Sequence, residues 1–108
     1  MTGGGGTGTQ TDTEVTTHTQ LIPPYHLILL DDDDHSYEYV IEMLIAVFGM
    51  SKERAYLHAC EVDSTQRTIV ITTSREHAEL KQEQVHAYGP DHRIPRCAGS
   101  MTAIVEPA

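Results

Sequence analysis

The stretch YHLILLDDDDHSYEYVIEMLIAVFG, residues 25–49, decides the fold. An apolar run opens it, four consecutive aspartates follow, and a segment with helical apolar spacing closes it. Tyr25 to Leu30 reads as a strand partly buried on both faces. Tyr37, Val40, Ile41, Leu44 and Phe48 recur three and four residues apart, the pattern of a helix with one apolar face. His35-Ser36 supplies its cap and Gly49 its stop.

Outward from this core, the chain divides simply. Residues 1–20, MTGGGGTGTQTDTEVTTHTQ, carry too few apolar side chains to offset the entropy of ordering them. Residues 1–22 are therefore expected to be a disordered tail and residues 23–108 a single domain, with Pro23-Pro24 at the junction. Downstream, Ser51 looks like the cap of a second helix with Ala55, Ala59 and Val62 on one face, broken at Asp63–Gln66. Arg67 to Thr73 is β-branched and strand-like. Ser74 caps a third helix that turns Ala78, Val85 and Tyr88 inward and ends at Gly89-Pro90. Met101 to Glu106 reads as a last short strand. The order β-α-α-β-α-β predicts an α+β sandwich, three helices on a small three-stranded antiparallel sheet.

Charge narrows the function. The 108 residues carry 7 basic and 16 acidic side chains, a net charge of −9. Asp31, Asp32, Asp33, Asp34, Glu38 and Glu42 crowd one short stretch without a Lys or Arg. Such a surface repels nucleic acid and anionic membrane, so neither is an expected partner. A cationic group or a basic protein patch fits it better. No basic segment followed by an apolar one marks a secretory signal, and no apolar run approaches a membrane span, which points to the cytoplasm. Cys60 and Cys97 are read as free thiols, since two cysteines make no disulfide framework and no zinc-type spacing accompanies them.

Catalytic motifs are missing. There is no GxSxG, HExxH, P-loop or GxGxxG, and neighbouring Ser36 and His35 on a helix point in different directions. No catalytic residue and no cofactor is predicted. A calcium loop starting at Asp31 would place Glu42 at its twelfth position, but His35 and Ser36 stand where a ligand and a glycine belong. No metal site is predicted either. Negative charge at a helix N-terminus is stabilising by about 0.3–1 kcal/mol per interaction, and one or two aspartates would supply it. Four adjacent ones repel each other and call for a positive partner.

The ordered blocks YHLILL, the acidic turn, SYEYVIEMLIAVFGMSKERA and SREHAELK resemble the ClpS adaptors of Clp AAA+ proteases over residues 23–88. That resemblance implies a fold shared with the C-terminal domain of ribosomal protein L7/L12. It implies an adaptor that binds a Clp-family AAA+ unfoldase and presents substrate proteins by their N-terminal residue. In the family an Asn and an Asp of the turn, and a His ending the second helix, hold the free α-amine. The matching positions here are Asp31, Asp32 and Asp63, so two of the three depart from the pattern, and Gln66 stands where the family has Gly. A carboxylate accepts a charge-assisted hydrogen bond from an ammonium, so three of them would still suit an amine. The resemblance places the side-chain pocket at Tyr37, Ile41, Ala59, Val62 and Met101, and the unfoldase-docking face at Glu76, Glu79 and Lys81. The alternative is a fold-sharing interaction module that no longer reads N-termini.

Overall fold

A computed structural model describes residues 22–95 and 97–108; the predicted tail, Ile22 apart, lies outside them. Six elements follow in the predicted order: β1 Tyr25–Leu30, α1 Tyr37–Phe48, α2 Lys52–Thr65, β2 Arg67–Thr73, α3 Arg75–His86 and β3 Ala103–Pro107. The sheet order is β2-β1-β3, and β1 pairs antiparallel with both neighbours. This central position explains why Leu27, Ile28 and Leu29 are all fully buried although only alternate residues face the helices. A bulge between Leu27 and Ile28 inserts Val70 unopposed into β2.

Local chemistry sets the helix ends. Ser36, Ser51 and Ser74 are the three N-caps, each accepting from the backbone N–H three residues on. Gly49 ends α1 at φ 68°, where a residue without Cβ is unstrained. The second helix does not break at Asp63–Gln66 as predicted. It runs on to Thr65, and Gln66 takes the left-handed cap position at φ 75° with its N–H on Val62 O. Short polar residues signal a break in sequence, but Ser64 and Thr65 instead bond back to carbonyls of their own helix, at Cys60 and Glu61.

The core lies between the sheet and the helices. Leu27 and Leu29 meet Tyr39, Val40, Met43 and Leu44 of α1, Ala55 and Ala59 of α2, Ala78 and Val85 of α3, and Met101 and Ala103. Thus α1 buries positions 39, 40, 43 and 44, a stripe rotated from the predicted one. Tyr37 is instead 38% exposed, and Tyr88, predicted inward, is 39% exposed. Tyr88 packs its ring edge-on against Tyr39, so it roofs the core rather than filling it. Helix α3 ends at His86, before Gly89-Pro90, and the last strand begins two residues after Met101.

Candidate functional site

The carboxyl end of β1 is where three chain segments meet. Leu30 N–H donates to Thr102 O and Asp31 N–H to Gln66 O, both at 3.0 Å. These bonds tie the acidic turn to the end of α2 on one side and to the approach to β3 on the other. As a result Asp31, with Asp32 next to it in the turn, comes within electrostatic reach of Asp63 in the last turn of α2. The electrostatics record it: the Asp31 carboxyl is pushed above its ordinary range, first by burial, then by the charges of Asp63, Asp32 and Asp33.

The other two carboxylates already hold partners. Asp32 Oδ1 accepts from Asp34 N–H at 2.9 Å and from His35 Nδ1 at 2.7 Å. Asp63 Oδ2 accepts from the Tyr37 hydroxyl at 2.9 Å. That bond favours the neutral phenol, and with some desolvation and the Asp63 charge it lifts Tyr37 to about 12. So Tyr37, predicted as a pocket residue, is coupled through its hydroxyl to Asp63, a predicted amine-site residue.

The remaining predicted pocket residues divide by burial. Ile41 is half-buried, whereas Ala59, Val62 and Met101 are closed into the interior, each no more than 2% exposed. A surface depression of about 340 Å³ is lined by Glu38, Ile41, Glu42 and Ile45 of α1 and Lys52 at the start of α2. It shares only Ile41 with the predicted set. Glu38, Glu42 and Ile45 occupy the outward face of α1, so helical periodicity reads them as solvated.

On α3, Glu76 lies in the first turn and is exposed, and Glu79 accepts from Arg75 Nε at 3.2 Å. Lys81 is more committed. Its Nζ donates to Val47 O at 2.8 Å and to Gln84 Oε1 at 3.1 Å, and lies 5.8 Å from the Phe48 ring centre. It therefore satisfies a carbonyl at the C-terminus of α1, where a cation is favoured.

Two residues outside the predicted site set organise the site. Asp91, 1% exposed, accepts at Oδ2 from Ser36 N–H (2.7 Å) and Ser36 Oγ (2.8 Å), and at Oδ1 from Arg93 N–H (3.0 Å). Burial alone would raise its pKa, but the bonds from Ser36 and Arg93 outweigh that and hold it at about 2. Arg93 continues to Glu42 at 2.6 Å, so the loop before β3 is clamped to α1. His35 is the second. Its side chain is 4% exposed, and it spans Asp32 and Gly99 O, which Nε2 meets at 2.8 Å. Nothing in local spacing pairs Ser36 with Asp91 or His35 with Gly99.

Among the described residues no group of three or more His, Cys, Asp or Glu side chains is arranged to hold a metal ion, and no helix is long and apolar enough to cross a membrane.

With this geometry in place, comparisons with known proteins converge. Residues 20–95 match the family described as ATP-dependent Clp protease adaptor protein ClpS. The ATP-dependent Clp protease adapter protein ClpS of Desulforapulum autotrophicum is 33% identical over 73 residues, spanning 68% of this chain and 70% of that one. Its counterpart in Vibrio cholerae is 35% identical over 79 residues, spanning 71% and 74%. Among solved structures, Agrobacterium tumefaciens ClpS2 bound to L-phenylalaninamide superposes with a TM-score of 0.68 at 26% identity, covering 80% of this chain and 98% of that one.

Proposed function

The chain belongs to the ClpS family of ATP-dependent Clp protease adaptors, and on that premise we propose that it captures substrates by their N-terminal amine at Asp31, Asp32 and Asp63. As a Clp protease adaptor it delivers substrates for ATP-dependent proteolysis. Residues 23–108 form the adaptor domain, and residues 1–22 serve as the extension preceding it. The protein performs no catalysis of its own and works in the cytoplasm, where Clp-family AAA+ unfoldases are its partners. Glu76, Glu79 and Lys81 contribute to the face that docks the unfoldase.

One observation carries the amine reading: three carboxylates from two separate elements converge closely enough that each neighbour's charge opposes the ionisation of Asp31. A substrate ammonium relieves that repulsion and donates up to three charge-assisted bonds. The related ClpS2 structure holds L-phenylalaninamide, a ligand with a free α-amine and an apolar side chain. Beside the carboxylates, Tyr37 and Ile41 offer an apolar surface to the first side chain, with Ala59, Val62 and Met101 as its floor.

A second reading, an interaction module indifferent to N-termini, draws support from the occupied oxygens. Asp32 Oδ1 already serves His35 and Asp63 Oδ2 already serves Tyr37. Fluorescence polarisation with peptides varied at the first residue separates the two. Amine capture requires discrimination by first residue and its loss on N-acetylation. Binding that ignores acetylation refutes it and supports the second reading.

A further inference from the structure

Cys97 is not a solitary thiol. Its Sγ lies 3.3 Å from His35 Nε2, while His35 Nδ1 lies 2.7 Å from Asp32 Oδ1. A third segment completes the cluster, since Asp91 N–H donates to the same sulfur at 3.2 Å. Thiol, imidazole and carboxylate thus stand in line, the order in which a base and an orienting group activate a nucleophile.

The hydrogen bonds constrain where the protons can go. Nδ1 faces a carboxylate oxygen and Nε2 faces the Gly99 carbonyl oxygen at 2.8 Å; neither can donate, so the ring bonds both only when each nitrogen carries a proton. The thiol beside Nε2 is the near source of the second proton. When the thiol passes its proton to Nε2, the resulting thiolate stands between an imidazolium and a backbone N–H; the Gly99 O contact at 3.2 Å is made by the protonated thiol. The ring is anchored further by Tyr39, with centroids 4.5 Å apart. Cys97 itself is only half-buried, so a small reagent reaches it.

From this geometry we infer that Cys97 is a peroxide-modifiable site, a nucleophilic thiol positioned by His35 and Asp32. Sγ attacks one peroxide oxygen; the S–O bond forms as the O–O bond breaks, and sulfur is oxidised by two electrons. The departing hydroxide takes the Nε2 proton. The products are Cys97 sulfenic acid, water and neutral His35. The inference is independent of amine capture, because the reaction needs no peptide.

The test treats the full chain with hydrogen peroxide near neutral pH, traps sulfenic acid with a cyclic 1,3-diketone, and quantifies each cysteine by mass spectrometry. Cys60 is the internal control: it is also half-buried, and its neighbour is the Tyr56 hydroxyl. Cys97 is expected to react at least about ten-fold faster than Cys60 in the folded protein, with the ratio falling to about one in urea. His35→Asn should slow Cys97 by at least about ten-fold and leave Cys60 unchanged. Equal rates in the folded wild-type chain overturn the inference, as does a folded His35→Asn protein whose Cys97 reacts at the wild-type rate. Should His35→Asn fail to fold by circular dichroism, the folded-to-unfolded ratio of the wild type decides alone.

Discussion

Replacing Asp91 with Asn perturbs the clamp between the loop before β3 and the start of α1. The carboxylate accepts two bonds from Ser36 and at least one from Arg93 while almost fully buried. Asparagine keeps one acceptor oxygen but turns an amide N–H toward the Ser36 donors, leaving them unsatisfied. The drop of the Asp91 pKa from 3.8 to about 2 corresponds to about 2 kcal/mol, at about 1.4 kcal/mol per pKa unit. The sign follows from linkage: a carboxyl whose folded pKa is depressed contributes stability above its unfolded value, and that contribution disappears as pH falls through the folded one. Asp91→Asn should therefore cost about 2 kcal/mol near pH 7, lowering Tm by about 8–16 °C at about 4–8 °C per kcal/mol for a domain of this size. Urea titrations of both proteins from pH 7 down toward pH 2 provide the measurement. Their stability difference should shrink between the two pKa values. A difference constant with pH, or below about 0.5 kcal/mol at neutrality, refutes the assignment of Asp91 as an ionised clamp.

Other outcomes test the remaining parts. Asp63→Ala and Asp32→Ala should weaken binding of a free-amine peptide by about 2 kcal/mol or more, the usual loss when one member of a charge pair is removed; unchanged affinity in polarisation assays counts against the amine site. Tyr37→Phe frees Asp63 Oδ2 and should preserve or tighten amine binding, and in ultraviolet titration the phenol ionising near 12 should return toward 10 in Asp63→Asn. Amine capture should fade as acidification protonates Asp31, beginning at a higher pH than for an ordinary carboxyl, because its pKa is raised; polarisation at stepped pH reads this. Gln66→Gly should stabilise by about 0.5–1 kcal/mol, since Gln66 sits at φ 75° where glycine is unstrained. Lys81→Met should cost about 1 kcal/mol by removing the bond to Val47 O, so unfoldase pull-downs with charge-reversed Glu79 and Lys81 need parallel melting curves.

Much of the fold was legible because its determinants are local. Apolar spacing and serine caps act within four residues, and they located every element to within a few positions. The β1 strand shows this best: its unbroken apolar run already implied burial on both faces, and it is the central strand. Periodicity did mislead on α1, where the inward stripe falls on Tyr39 and Met43 rather than Tyr37. Both stripes are apolar, and only packing against α2 and α3 chooses between them.

By itself, then, the sequence determined the element order, the caps, the acidic turn and the resemblance that pointed to ClpS adaptors. Tertiary structure alone decided what each polar group touches. Ser36 finds Asp91 across 55 positions, His35 finds Gly99 across 64, and Lys81 finds Val47 across 34. Such partnerships leave no periodic trace, because they arise only when the sheet brings distant segments within hydrogen-bond reach. The four aspartates illustrate the division. Their composition announced negative charge, but only the folded chain distinguishes Asp31, crowded by like charges, from Asp32, already engaged with His35 and through it with Cys97.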